Sequence, residues 1–245
     1  MVLSASHYND MGYIQTVNNV QTRLAANTKL VYDNITFGLN ANFMQRENGM
    51  FVMWVNDTTP YVPLADTDLP TFGSRFYIDP SITIYQNFFK HTLRSRILRR
   101  NIGYINNNES YITSLLTYNE YQNQFQTDQT TFTSGITATT LMGRTGSYGG
   151  QINGINLSGY AQLDHDFGKL NVSTGARYEY FDLDSVFVGK PVFRGGLNYE
   201  LSKGFNIRSS FGQGFRFPTI TELFMQGKIG PVNPVSYTHL RAHET

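Results

Sequence analysis

Apolar and polar residues alternate one by one along most of the chain, the period that puts successive side chains on opposite faces of a β-strand. The clearest run is Asn156 to Phe167. There Leu157, Gly159, Ala161, Leu163 and Phe167 share one face, with His165 out of pattern, and Asn156, Ser158, Tyr160, Gln162, Asp164 and Asp166 share the other. Past Gly168-Lys169 the pattern restarts, with Leu170, Val172, Thr174, Ala176, Tyr178 and Tyr180 against Asn171, Ser173, Arg177 and Glu179. A second hairpin sets Phe193, Gly195, Leu197, Tyr199 and Leu201 against Arg194, Gly196, Asn198 and Glu200. It then sets Phe205, Ile207, Ser209, Phe211, Phe215 and Phe217 against Asn206, Arg208, Ser210, Gly212, Gly214 and Arg216. The N-terminal third repeats the plan, from Val20 to Tyr32 and, after Asp33-Asn34, from Ile35 to Phe43.

Less regular runs at Ser81–Phe89, His91–Tyr104, Tyr111–Phe125 and Thr130–Leu141 bring the expectation to about ten antiparallel strands. No helical period competes before the Pro218–Phe224 stretch. Short turns are expected near Asp33-Asn34, Asn87–Lys90, Gln126–Gln129, Gly168-Lys169 and Ser202–Gly204. Longer polar or Gly/Asn/Pro-rich connections are expected at Asn56–Ser74, Asn106–Ser110, Gly143–Gly154 and Asp184–Lys190. Strict alternation of short and long connections puts every short turn at one end of the sheet, the asymmetry of membrane β-barrels.

Composition changes this picture in one respect. Of 245 residues only 40% are hydrophobic and 15% charged, and asparagine, at 22, is as frequent as glycine. Neutral polar side chains therefore fill the non-apolar face. No window of about 18 apolar residues exists, which excludes helical spans but is blind to strands that are half apolar. A net charge of +1 gives no electrostatic footprint for nucleic acid. With no cysteine there is no disulfide, thiolate zinc site or cysteine nucleophile. Met1–His7 lacks the basic and apolar regions of a signal peptide, so the chain is expected to begin inside a longer reading frame.

The polar face carries Arg23, Lys29, Arg94, Arg96, Arg177, Glu179, Arg194, Glu200, Arg208 and Arg216. On a soluble sandwich these would be the solvated surface. Strands of about 11–14 residues suit tilted bilayer crossings better. Aromatics near strand ends (Phe205, Phe215, Phe217, Tyr178, Tyr180) fall where interfacial girdles belong. The physical reading is an all-β, antiparallel transmembrane barrel segment with an outward apolar band and a hydrated interior. Two other readings stand beside it: a small self-contained outer-membrane barrel acting as adhesin or enzyme, and a soluble β-sandwich that binds carbohydrate through exposed aromatics.

The segment Gly212-Gln-Gly-Phe-Arg-Phe-Pro-Thr-Ile-Thr-Glu-Leu-Phe224 resembles the late-barrel motif of TonB-dependent outer-membrane receptors, keeping Gly212, Gly214, Phe215, Arg216, Pro218 and Glu222. Pro191–Tyr199 and Ser173–Tyr180 are also similar to that family, especially to receptors of Bacteroidota-type bacteria. The resemblance implies a 22-stranded barrel closed around an N-terminal plug. It implies energy-coupled uptake through TonB, a location in the outer membrane of a Gram-negative bacterium, and a ligand such as an iron-siderophore, haem, cobalamin or glycan. Residues 1–234 are then a partial barrel of about ten strands without a plug, one that cannot transport by itself. Val235–Thr245 is similar to the conceptual translation of a transposon-end adapter used in sequencing libraries and is set apart from the fold.

Within the motif, Gly212 and Gly214 leave room for a neighbouring side chain or plug surface, and Pro218 ends the ladder. Arg94, Arg96, Arg177, Arg194, Arg208 and Arg216 are expected to face the interior, paired with carboxylates or plug carbonyls, with a second possible role in drawing anionic ligands inward. No Gly-x-Ser-x-Gly elbow, His-Glu-x-x-His or Walker loop is present, so no enzyme activity, metal or cofactor is expected. Gly143–Gly150 reads as a flexible loop. In Asp164-His165-Asp166 the histidine opposes its two carboxylates, and Asp66 and Asp68 are read as solvated charge.

Overall fold

The fold is taken from a computed structural model, which describes residues 1–14, 16–49, 53–64, 70–104, 107–145, 150–184 and 186–216. Among them lie eleven strands: β1 (Val2–Asp10), β2 (Asn19–Tyr32), β3 (Ile35–Asn48), β4 (Thr71–Gln86), β5 (Phe89–Tyr104), β6 (Asn107–Gln126), β7 (Thr130–Thr145), β8 (Gly150–Asp166), β9 (Leu170–Leu183), β10 (Val186–Ser202) and β11 (Phe205–Gly212). They form one antiparallel sheet in chain order, so every connection is a hairpin. A sandwich needs two facing sheets, and this single meander excludes it. β1 pairs only with β2 and β11 only with β10.

Short turns close the β2/β3, β4/β5, β6/β7, β8/β9 and β10/β11 hairpins at one end. Four of the five place an Asp, Asn or Gly at positive φ: Asp33 (45°), Asn87 (48°), Gly168 (88°) and Gly204 (87°). These are the residues that tolerate the left-handed region at least cost. Asn34 also ties its turn to the next hairpin, donating from Nδ2 to the Tyr85 carbonyl at 3.0 Å.

The opposite end corrects several expectations. Residues 107–110, 143–145, 150–154 and 186–190, expected within long connections, are strand. β6 begins at Asn107, β7 runs to Thr145 and β8 begins at Gly150, and β9 ends at Leu183 with β10 starting at Val186. Strands there simply continue past the point where apolar alternation stops, because ladder hydrogen bonds need no apolar face. The connection between Asn48 and Thr71 is the one that stays long. β1 is an added strand, β4 starts ten residues before Ser81, and β11 ends at Gly212 rather than Phe217. The Pro218–Phe224 stretch, Asp66, Asp68 and Val235–Thr245 lie outside the described residues.

Register gives the inclination of the strands. The row of directly paired residues that starts at the β2/β3 turn runs Tyr32, Ile35, Ile84, His91, Asn123, Ser134, Ala161, Ala176 and Phe193. On β10 the corresponding turn lies at Ser202, nine residues further on, after eight strand spacings. At about 3.4 Å per residue and about 4.8 Å per strand, this stagger corresponds to a tilt of roughly 38° when the turns share one level. That is the range of closed membrane barrels.

Counted from the short turns, outward residues stay apolar for about ten positions and then become polar. On β3 the order is Ile35, Phe37, Leu39, Ala41, Phe43, then Gln45; on β8 it is Leu163, Ala161, Gly159, Leu157, Ile155, then Asn153. Ten residues at that tilt span roughly 27 Å, close to a bilayer's apolar thickness. Side chains of the band are bare within the chain from one edge to the other: Leu30 is 62%, Ile136 64% and Tyr178 56% exposed. A soluble protein does not leave such a belt uncovered.

Pro80 interrupts the sheet in a defined way. β4 stays in register with β3 through Leu39–Pro80, whereas its pairing with β5 passes from Ile78–Ile97 to Ser81–Arg94 with no partners for Asp79 and Pro80. Proline has no N–H to donate, so the ladder opens there.

Candidate functional site

The candidate site is the face opposite the apolar belt. Directly paired residues lie on the same face, so one row collects Lys29, Gly38, Ser81, Arg94, Glu120, Thr137, Ser158 and Glu179 from eight successive strands. Thr137 and Ser158 in this row are buried and share a 2.6 Å hydrogen bond. Hydroxyl and amide pairs of this kind satisfy a polar wall without net charge.

The charged members are paired chiefly across the sheet. Arg96 fills the opening left by Pro80: its Nε and a terminal nitrogen donate to the two Asp79 carboxylate oxygens at 2.6 Å each. Its guanidinium also lies 5.4 Å from the Tyr77 ring centre. Arg94 reaches Glu120 at 3.5 Å. Arg177 Nε lies 2.6 Å from Glu179 Oε1, an ion pair by distance without hydrogen-bond alignment. Arg194 bonds to Gln162, which donates to Asp164 at 2.8 Å, and Arg208 donates to Asn198 at 3.2 Å. Three of these five arginines thus meet carboxylates and two meet side-chain amides.

Two longer contacts depend on glycine. Tyr160 on β8 donates to Glu120 Oε1 on β6 at 2.8 Å, crossing β7 at Gly135. Arg194 on β10 crosses β9 at Gly175 to reach Gln162 on β8. A Cβ at Gly135 would come within 2.7 Å of the Tyr160 ring and the Tyr121 carbonyl, and one at Gly175 within 3.1 Å of Arg194 Nε. A missing side chain on the middle strand is what allows a link between strands that are not neighbours.

Gly212 pairs with Arg194 at the end of β11, and Gly214, Phe215 and Arg216 follow it outside regular structure. A Cβ at Gly212 or Gly214 would meet nothing within 4 Å, so no described neighbour of this chain occupies the space those glycines leave. Lys190 Nζ lies 5.9 Å from the Phe215 ring centre. Pro218 and Glu222 lie outside the described residues. In Asp164-His165-Asp166, His165 sits on the belt face, bonded to Thr130 Oγ1 at 2.7 Å and packed edge-on against Phe167 at 4.2 Å, while Asp164 accepts from Ser173 at 2.5 Å on the polar face. Among the described residues no three metal-ligating side chains converge.

Asp79, Glu120, Tyr160 and Gln162 were not singled out from sequence. Each acts through residues one or two strands away, and no spacing along the chain announces that. The glycines at inward positions 135 and 175 were the one available signal.

Residues 3–240 match the family described as TonB dependent receptor-like, β-barrel. No curated protein sequence gives a significant match. Among solved structures, the chain is similar to the ferric yersiniabactin uptake receptor FyuA from Yersinia pestis, with a TM-score of 0.61, 10% identity and 85% of this chain covered. It is also similar to the FrpB iron transporter from Neisseria meningitidis (F3-3 variant), with a TM-score of 0.63, 10% identity and 86% covered. The match spans 40% and 41% of those two chains. At that identity the likeness is one of fold.

Proposed function

The chain belongs to the TonB-dependent receptor β-barrel family, and from that membership we propose that it forms part of the wall of an outer-membrane receptor that takes up a large, scarce ligand at the expense of TonB-transmitted energy. The supporting observation is the pairing of an outward apolar belt with a charged, internally bonded face on one staggered meander. In this reading the belt meets lipid, the polar face lines the lumen, and the short turns face the periplasm.

The motif that opens at Gly212 follows a late-barrel strand, with Gly212 and Gly214 leaving space for a surface supplied by the rest of the receptor. TonB is engaged through a plug domain, and the wall described here supplies its housing. The ligand is an iron-siderophore, haem, cobalamin or glycan; the two structural neighbours named above are a ferric yersiniabactin uptake receptor and an iron transporter. No catalytic step is proposed.

Cells producing the whole receptor, tested with labelled members of these four ligand classes, should accumulate one of them only when TonB is present and the inner membrane is energised. Accumulation that survives loss of TonB would overturn the reading.

A further inference from the structure

Near the end remote from the short turns, one row of the polar face runs Ser6, Arg23, Met44, Arg75, Arg100 and Ser114. Arg75 and Arg100 are direct partners across β4 and β5. Such pairs hold their Cβ atoms about 5 Å apart, and like charges there oppose folding. Arg46 lies on the same face one row away, in register with Gln21 and Gly73.

No carboxylate whose side chain the structure describes forms an ion pair with this cluster. Asp79 is taken by Arg96 through both oxygens, and Asp10 accepts from the Tyr8 hydroxyl and the Gly12 amide. Arg46 donates to the neutral Asn19 and Asn48 side chains. Arg75 meets only the Met44 sulfur, at 4.0 Å, and the Tyr77 ring, 6.0 Å from its centre, and its Nε is buried with no acceptor. The cavity of about 410 Å³ beside the row is lined by Met44, Arg46, Arg75, Leu98, Arg100 and Ile102.

Four arginines gather on this part of the wall, two of them direct cross-strand partners and one with a buried donor that meets no acceptor. We propose that Arg23, Arg46, Arg75 and Arg100 form a lumen-wall site for a small oligoanion, whose paired carboxylate or phosphate oxygens accept from several guanidiniums at once. Of the six arginines expected from sequence to draw anions, Arg94, Arg96 and Arg177 have their charge met by the wall's own carboxylates. The site rests on the reading of the polar face as the lumen.

The test titrates the purified receptor in detergent with citrate and, separately, with inorganic pyrophosphate, by calorimetry at low salt. At least one probe should bind. R75Q/R100Q should weaken it roughly tenfold or more, and about 0.15 M salt should weaken it further. Lys203→Gln, in the β10/β11 turn at the opposite end of the sheet, should leave it unchanged. Response to citrate alone assigns a carboxylate ligand, and response to pyrophosphate alone a phosphate ligand. R100Q by itself should unfold at the same or a higher temperature, since it removes a repulsion, and so separates loss of binding from loss of fold. Binding of neither probe overturns the proposal, as does binding that R75Q/R100Q leaves intact. So does an R100Q receptor that is less stable but binds as before, which would make the arginines structural. The titration needs no TonB, so intact binding without uptake would remove the uptake reading and leave the site in place.

Discussion

Tyr160 and Glu120 are hydrogen-bonded at 2.8 Å although they stand on strands that do not touch, with Gly135 of the intervening strand beneath the link. The contact holds β6, β7 and β8 together beyond their ladders. Gly135→Ala puts a methyl group against both the Tyr160 ring and the Tyr121 carbonyl, and a carbonyl in a ladder cannot yield cheaply. The expected cost is about 1–3 kcal/mol in urea unfolding of the detergent-bound receptor. In a Tyr160→Ala background the same change should cost clearly less. Equal costs in both backgrounds would mean that the crossing is not what selects glycine at 135.

Asp79 answers for the ladder opening at Pro80. Asp79→Asn should release Arg96 and leave the β4/β5 junction held by neither backbone nor ion pair. The global cost is expected at about 1 kcal/mol or less, because the Arg96 side chain is 49% exposed. Hydrogen exchange should nevertheless quicken at Ile78 and Ile97 while the amides of β8 and β9 keep their rates. Uniform change across the sheet would contradict a local role.

The assignment of faces can be read from a pair of charge insertions. Ile136→Arg places a cation in mid-belt and should cost about 2–4 kcal/mol for folding into lipid bilayers. Thr139→Arg, on the opposite face of the same strand, should cost well under half as much. Similar penalties at both positions would invalidate the lipid-facing belt.

Among the described residues both outer strands have a free side, since β1 pairs only with β2 and β11 only with β10. Expressed as it stands, the 245-residue chain should aggregate in detergent-free buffer through these edges and the bare belt. Light scattering checks this directly. A stable, unassociated monomer in plain buffer would speak against the membrane assignment.

What was legible in the sequence follows where one face had to be apolar. From Asn156 to Tyr180 and from Phe193 to Phe211 the alternation placed strands and faces correctly, because lipid demands an apolar residue at every second position. Outside the belt that demand lapses. Gly143–Thr145 and Gly150–Gly154 carry no period and read as loop, yet they are strand. The run read from Ser81 begins at Thr71, and it passes through Pro80 by giving up one set of partners. Val2–Asp10 lacked apolar weight, and its strand is defined by pairing with β2. The polar-face contacts were less legible still. Arg75 and Arg100 are 25 positions apart in sequence, and only the register through β4 and β5 makes them neighbours.

The stagger of nine residues over eight strands also fixes how much perimeter each strand occupies. Tilted by roughly 38°, a strand about 4.8 Å wide takes up about 6 Å of circumference. Eleven of them make an arc of about 65 Å, and continued to 22 strands at the same pitch the wall would enclose a ring roughly 40 Å across between backbones. No side chain reaches the centre of such a ring. A wall of this pitch therefore cannot act as its own sieve, and whatever decides passage must stand inside it.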